Sequence, residues 1–170
     1  MKHILPILTI TTLAAAASAQ SVAASGLSYN RVGLGYNTDS KGYSLTASAL
    51  IGSSNFLVEA DSTIGGKASG NGADSVSLGY VFKNVALGAD ATVSIGSNES
   101  YGLNVRKDLG GNIELAVSYG RELNATGTDH ANVWGIELAY NVSKQIQVAV
   151  GYSDASKSAS TTDISVRYNF

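Results

Sequence analysis

The sequence offers one histidine, one neighbouring aspartate and a few serines as candidates for covalent chemistry. Beyond residue 19 the chain has a single histidine, His130, which directly follows Asp129. An Asp-His pair can activate a serine hydroxyl, and Ser97, Ser100 and Ser156 lie in similarly polar segments. No spacing ties these serines to His130, and an Asp-His dipeptide in a polar segment is typical of a solvated turn. We therefore predict that the protein has no catalytic residue and is not an enzyme.

The sequence also contains no pattern that indicates binding of a metal, a cofactor or a nucleic acid. The chain contains no cysteine, and one histidine with scattered carboxylates gives no metal-ligand spacing. Its 11 basic and 13 acidic residues give a net charge of −2, without the clustered basic face that nucleic-acid binding requires. We expect no metal, no cofactor and no nucleic-acid partner.

Other charged residues recur in segments where every second residue is apolar, and they occupy the opposite, small and polar face. This face combines three arginines with eight carboxylates. They are Arg31, Arg106 and Arg167, with Glu59, Asp61, Asp90, Asp108, Glu114, Glu122, Glu137 and Asp163. Buried charges persist when they are paired, so one interpretation is a lumen filled by ion pairs and hydrogen bonds. The alternative is a narrow, weakly cation-preferring water path. On the same face, Leu50, Leu57 and Val81 could form an apolar constriction.

The elements that carry these residues are β-strands. After Gly26 the apolar residues recur at every second position, and no stretch keeps a helical period. We predict an all-β fold, a closed antiparallel transmembrane barrel of about ten strands, with eight as the alternative. The predicted strands lie near 28–37, 42–52, 54–65, 73–82, 84–96, 99–108, 113–120, 134–141, 146–153 and 163–170.

The connections between these strands alternate in length. Four are predicted as tight turns, at 53–54, 83–84, 110–112 and 143–144. The other five are longer and polar, at 38–41, 66–72, 97–98, 124–130 and 155–160. Tight turns at one end, longer loops at the other and an even number of strands are typical of an outer-membrane barrel with both termini in the periplasm.

Two features indicate that the apolar face points to lipid. The opposite face is built largely from glycine, serine, alanine and threonine, which suit a crowded interior better than a water-facing surface. The aromatic residues also sort by height into two girdles. Tyr36, Tyr43, Tyr101, Tyr119, Trp134 and Tyr152 fall toward the longer loops, whereas Phe56, Phe82, Tyr140, Tyr168 and Phe170 fall toward the tight turns.

The first 19 residues form a predicted secretory signal peptide. Lys2 and His3 precede an apolar run, 4–17, and Ala17-Ser18-Ala19 supplies a small-x-small cleavage site. Cleavage after Ala17 or Ala24 is an alternative, as is an N-terminal membrane anchor, although the run is shorter than the ~20 residues of a spanning helix. We predict a barrel over 20–170.

The last strand, Ile164 to Phe170, has Ile164, Val166, Tyr168 and Phe170 in phase. This ending resembles the C-terminal signature of bacterial outer-membrane proteins. The segments 27–36 and 42–48 resemble the opening of a family of small proteobacterial outer-membrane barrels, porin-like or opacity-like, of which some were formerly regarded as secreted quorum-type factors. The resemblance implies assembly by periplasmic chaperones and the barrel-assembly machinery, and it transfers no catalytic residue.

The sequence thus predicts an integral protein of the outer membrane with a structural or surface-exposed role. We expect it to contact membrane lipid and lipopolysaccharide and to be a monomer. A small passive pore is the alternative, and a secreted soluble β protein is the second alternative.

Overall fold

The computed structural model of the protein describes residues 26–65, 74–97, 99–123, 129–156 and 158–170. The predicted signal peptide, 1–19, lies outside the described residues, as do Gly66 to Gly72 of the predicted second outer loop. No helix long and apolar enough to cross a membrane occurs in the described part of the chain.

The described residues form a closed antiparallel barrel of ten strands. They are β1 Arg31–Asn37, β2 Tyr43–Leu50, β3 Phe56–Ile64, β4 Asp74–Ala86, β5 Ala89–Gly96, β6 Ser100–Gly110, β7 Ile113–Leu123, β8 His130–Asn141, β9 Ile146–Ala155 and β10 Ser158–Asn169. Each strand pairs with its neighbour in sequence, and β1 closes the ring by pairing with β10 from Arg31 opposite Asn169 to Asn37 opposite Asp163. The predicted fold is confirmed, with ten strands rather than eight.

Alternation sorts the side chains into an outer apolar face and an inner polar face. Along β10, Ile164, Val166 and Tyr168 are each about half exposed to the outside of the barrel. Buried positions on the inner face hold alanine, serine and a few charges, because the lumen of a ten-stranded barrel is narrow. At Gly33 a Cβ atom would lie 3.1 Å from Cγ of Arg167, so this inner position leaves room for the arginine chain.

Several strand boundaries differ from the sequence prediction. The tight turn between β4 and β5 lies at Leu87-Gly88, where both residues have positive φ as such turns require, and not at Lys83-Asn84. Asn84 belongs instead to a β-bulge between Phe82 and Ala86, and its backbone N–H donates to Oδ1 of Asp90 at 2.8 Å. The side chain of Asp90 thus satisfies the donor that the bulge leaves unpaired.

The first strand starts at Arg31 and not near residue 28. The preceding residues, 27–30, leave the barrel wall and enter the lumen. Leu27, Tyr29 and Asn30 are buried there. We call residues 27–30 the N-terminal segment.

Two of the outer connections are shorter than predicted. The chain re-enters the barrel at His130, so this residue begins β8 instead of lying in a loop, and β9 and β10 are separated only by residues 156–157. The connection between β5 and β6 is one residue longer than predicted, at 97–99, but it is still short. Little of the described chain therefore projects beyond the outer rim.

Candidate functional site: the lumen

An apolar cluster crosses the lumen near its periplasmic end. Leu27 and Tyr29 of the N-terminal segment pack with Leu57 and Val81, and Leu50 contacts the cluster from its edge. The side chains of Leu27 and Val81 are 2% and 0% exposed. The three residues predicted as a constriction thus lie together, and the N-terminal segment adds a leucine and a tyrosine side chain to them.

Polar contacts hold the N-terminal segment in place. The Tyr29 hydroxyl donates to Oδ2 of Asp90 at 2.8 Å, and the Tyr29 carbonyl accepts from Oγ of Ser48 at 2.7 Å. Arg106 donates through Nη2 to the Ser28 carbonyl at 3.0 Å, and its guanidinium stands 4.7 Å from the centre of the Tyr29 ring. The segment is therefore anchored to three different strands, β2, β5 and β6.

Arg106 also forms the first of two ion pairs in the lumen. Its Nε donates to Oε1 of Glu114 at 2.6 Å, and both side chains are almost fully buried. Nε2 of Gln147 donates to the other oxygen of Glu114 at 3.1 Å and to Oδ1 of Asn141 at 3.0 Å. Both carboxylate oxygens of Glu114 therefore have partners.

Arg167 and Glu137 form the second pair. Nη1 of Arg167 donates to Oε1 of Glu137 at 2.6 Å, and Nη2 contacts Oε2, so the pair is bidentate. Nη1 also lies 3.3 Å from Oε1 of Gln147, which links this pair to Glu114. The two arginines, two glutamates and Gln147 form one connected network, which we call the ion-pair network.

Arg31 stands apart from this network. It is close enough to Arg106 and Arg167 to be repelled by them and to Glu114 and Glu137 to be attracted. Its Nη1 atom is nevertheless buried without a hydrogen-bond partner among the described residues, and so is Oδ1 of Asn104.

Three cavities adjoin Arg31 on the outer side of the apolar cluster. The first, about 260 Å³, is lined by Glu59 and Asp61 together with Arg31 and Arg167. The second, about 160 Å³, is lined by Arg31, Asn104, Glu137 and Asp163, and a third of about 50 Å³ lies at Arg31, Asn104 and Tyr29. Glu59 accepts from Oγ of Ser77 at 3.4 Å.

Two carboxylates predicted to face inward lie at the rims. Asp108 is exposed near the periplasmic turn, where its Oδ1 accepts from the backbone N–H of Gly110 at 2.8 Å. Glu122 is exposed near the outer end of β7. Both residues lie at inward-facing positions of the alternating pattern, but they are so close to the strand ends that their side chains are exposed at the rim and do not enter the lumen.

The residues considered for catalysis form structural contacts at the outer rim of the barrel. Nε2 of His130 lies 3.3 Å from Oε2 of Glu99, and this contact links the start of β8 to the connection between β5 and β6. Oγ of Ser97 accepts from the Val76 N–H, and Oγ of Ser156 accepts from the Asn132 N–H, each at 3.1 Å. Oγ of Ser100 donates to the Ser97 carbonyl at 2.8 Å. The hydroxyl of Ser100 closes a turn, those of Ser97 and Ser156 bond to neighbouring strands, and no described contact joins one of the three to His130. Among the described residues no group of three or more His, Asp or Glu could hold a metal.

Sequence reasoning missed the N-terminal segment, Gln147 and Asn104. The alternation of Leu27 and Tyr29 with polar neighbours is the same signal as a strand. Gln147 and Asn104 do lie in the inner phase of predicted strands, so a search for amides next to the inward charges could have found them.

The outer surface carries an apolar belt bounded by aromatic rings. At the outer end Tyr36 packs on Tyr43 with ring centres 5.3 Å apart, and Trp134 packs on Tyr152 at 5.6 Å. At the periplasmic end the ring of Tyr80 lies 5.2 Å from Phe56 and 4.9 Å from Phe82, and Tyr168 stacks on Phe170 at 6.4 Å. A water-soluble protein does not expose such a belt, so the alternative of a secreted soluble protein is wrong.

Comparisons with known proteins give likenesses in structure alone. No protein-family model matches the chain, and no curated protein sequence matches it. A solved structure of the KdgM porin in complex with disordered oligogalacturonate is similar, with a TM-score of 0.52 and 16% identity over 82% of this chain and 99% of that chain. A second structure of the KdgM porin has a TM-score of 0.47 at the same identity and coverage. The Acinetobacter baumannii outer-membrane protein Omp33 has a TM-score of 0.35 and 12% identity over 76% of this chain and 71% of its own.

At these identities the likeness concerns the fold. The closed barrel, its apolar belt and the structural likeness to the KdgM porin support the same conclusion. The chain is a small β-barrel of the bacterial outer membrane with a porin-like fold.

Proposed function

We propose that the protein is an integral outer-membrane barrel with a structural or surface-exposed role, whose lumen does not conduct ions. The observation that carries this proposal is the packing of Leu27 and Tyr29 against Leu57 and Val81 across the lumen. An apolar plug of this kind resists hydration, and the ion-pair network lies directly against it. Neither feature supports a continuous water path.

Planar-bilayer conductance of the refolded protein tests this proposal. We expect the wild-type protein to give no discrete current steps. A Leu27→Ala/Tyr29→Ala double variant removes the two plug side chains and should conduct. The matched control is Leu34→Ala/Tyr43→Ala, which truncates the same two residue types on the lipid face, where they are 59% and 53% exposed. This control should remain silent.

Heat-modifiable gel migration shows whether each variant is folded before its conductance is measured. Wild-type steps equal to those of the double variant would overturn the proposal. Truncation of Leu50, Leu57 and Val81 to alanine gives an independent test, because it widens the same level without changing the N-terminal segment.

The second candidate is a small passive pore with a weak preference for cations. It is favoured by the carboxylates of Glu59 and Asp61, which line the largest cavity adjoining Arg31. If the wild-type protein conducts, the reversal potential in a KCl gradient measures its preference. Glu59→Gln/Asp61→Asn should then reduce the cation preference, and an unchanged reversal potential would contradict this candidate.

We also propose that the last strand carries the signal read by the barrel-assembly machinery. Its support is the row of Ile164, Val166 and Tyr168 on the lipid face, followed by Phe170, whose backbone N–H donates to the Asn30 carbonyl at 3.0 Å. Phe170→Ala should lower the amount of barrel assembled in cells while leaving refolding in vitro unchanged. Tyr140→Ala, which removes another aromatic residue of the periplasmic girdle, is the control and should assemble normally. Equal losses in the two variants would contradict this role.

The predicted signal peptide, contacts with lipopolysaccharide and chaperones, and the monomeric state remain predictions.

A further inference from the structure

Among the described residues, Arg31 is the lumen arginine that the network leaves without a carboxylate. Glu114 is bound by Arg106, and Glu137 is bound by both terminal nitrogens of Arg167. Arg31 lies within the electrostatic reach of both other arginines, which repel it, and of both glutamates, which attract it. The two glutamates of the ion-pair network are therefore already engaged, and Arg31 has no hydrogen bond to either of them.

A hydrogen-bond acceptor without a partner borders the same space. Oδ1 of Asn104 and Nη1 of Arg31 are both buried without a hydrogen-bond partner in the described part of the chain. Both residues line the cavities of about 160 and 50 Å³. Buried polar groups are normally satisfied, so an unpaired cationic donor and an unpaired acceptor beside one cavity indicate a missing polar occupant.

The cavities have room for a small solute and lie on the side of the apolar cluster that faces the outer rim. A water molecule takes about 30 Å³ of liquid volume, so the larger spaces hold several waters or one small anion. Along β3, Glu59 and Asp61 follow Leu57 in the direction of the outer loop. A solute from outside the cell would therefore meet these cavities before it meets the plug.

We propose that the lumen contains a binding site for a small oxyanion that carries an O–H group, held by Arg31 and Asn104. The charged oxygens of such an anion accept from the free guanidinium nitrogen of Arg31, and its O–H donates to Asn104. Hydrogen phosphate and a terminal phosphomonoester at its protonated stage have this chemistry. Sulfate, which bears no O–H at neutral pH, does not.

The carboxylates around the site support the same selectivity. Glu59 and Asp61 line the first cavity with Arg31, and Asp163 lines the second. A carboxylate repels every anion, but an anion that retains a proton offsets part of this repulsion by donating a hydrogen bond to the carboxylate. The site does not depend on whether the lumen conducts, because it is reached from the outer side.

Isothermal titration of the refolded full chain in detergent micelles tests the proposal, with inorganic phosphate, glycerol phosphate and sulfate as the probes at about pH 6, where about half of a phosphomonoester retains its O–H. We expect saturable phosphate binding that is about ten-fold tighter than sulfate binding. Tighter binding of inorganic phosphate assigns the site to the free anion, and tighter binding of glycerol phosphate assigns it to a phosphomonoester.

Two variants separate the roles of the two side chains. Arg31→Met should weaken phosphate binding by about ten-fold or more, since a charge-assisted hydrogen bond is lost. Asn104→Leu should bring phosphate down to the affinity of sulfate. Arg121→Met is the matched control, because Arg121 is an exposed arginine near the outer end of β7 and should leave binding unchanged.

Gel migration verifies that each variant is folded, and Arg31→Gln provides a polar second variant at the central position. The proposal is overturned if the wild-type protein binds neither phosphate nor glycerol phosphate, if sulfate binds as tightly as both, or if folded Arg31→Met and Arg31→Gln bind phosphate as the wild-type protein does.

Discussion

The periplasmic end of the lumen and the cavities further out satisfy their polar groups in different ways. At the periplasmic end the Tyr29 hydroxyl bonds to Asp90, and Glu114 is held by Arg106 and Gln147. In the cavities Arg31 and Asn104 each retain a buried atom without a described partner. One region is complete within the protein, whereas the other leaves polar atoms facing open space.

This difference teaches which substitutions the barrel should tolerate. Removal of one partner from a complete buried network leaves an uncompensated buried charge, which is costly. Next to a cavity, water can replace a lost partner at little cost. We therefore expect matched substitutions in the two regions to differ in their effect on stability.

The largest effect is expected from Glu114→Ala at the periplasmic end. It leaves the buried guanidinium of Arg106 without its carboxylate, so the free energy of unfolding should fall by about 3–5 kcal/mol. Urea unfolding of the barrel in lipid vesicles measures this, with the fluorescence of Trp134, the chain's single tryptophan, as the signal.

Glu59→Ala is the matched control in the cavity region. Glu59 lines the 260 Å³ cavity and contacts Ser77 at 3.4 Å, so its loss should lower the free energy of unfolding by less than about 1 kcal/mol. Equal losses in the two variants would remove the distinction between the regions.

A smaller effect is expected from Tyr29→Phe. This variant keeps the ring in the apolar cluster but removes the hydroxyl that donates to Asp90, so we expect a loss of about 1.5–3 kcal/mol in the free energy of unfolding. Tyr43→Phe is the control on the lipid face, where the ring is 53% exposed, and it should change the unfolding free energy little. A Tyr29→Phe protein as stable as the wild type would show that the hydroxyl does not anchor the N-terminal segment.

The hydroxyl of Ser48 should contribute less than that of Tyr29. It donates to the Tyr29 carbonyl at 2.7 Å, and Ser48→Ala should cost about 0.5–1.5 kcal/mol of unfolding free energy, the usual range for a neutral hydrogen bond. Ser77→Ala, which removes a longer contact beside the cavity, should cost less. The opposite order, measured by the same urea unfolding, would contradict the division between the regions.

The barrel itself could be predicted from the sequence because lipid and lumen demand different residues. Ile164 and Val166 alternate with Ser165 and Arg167, and this period of two recurs along the strands, with interruptions at bulges such as the one in β4. The start of β1 could not be predicted in this way. Leu27 and Tyr29 follow the same period, and their turn into the lumen depends on Asp90, which lies 61 positions away from Tyr29 in the chain.

The same distinction applies to the two ion pairs of the lumen: the sequence could predict one of them but not the other. Arg106 and Glu114 flank one hairpin turn, so their proximity follows from strand pairing that the sequence already indicates. Arg167 and Glu137 are 30 positions apart and lie on β10 and β8, which are not adjacent. Their contact depends on how far each side chain reaches across the lumen, and the unpaired state of Arg31 depends on that contact in turn.

The smallest change in stability is expected where the sequence would predict one of the largest, at Arg31. Arg31→Met removes a buried charge, but this charge is repelled by two arginines and has an unpaired terminal nitrogen. The free energy of unfolding should therefore stay within about 1 kcal/mol of the wild-type value. Arg167→Met is the matched comparison, because it strips Glu137 of its bidentate partner and should cost about 3 kcal/mol or more. If Arg31→Met costs as much as Arg167→Met in urea unfolding, Arg31 is a structural member of the network. If it costs nothing, the arginine is retained for something other than stability, and the cavities that it borders are where that role must be sought.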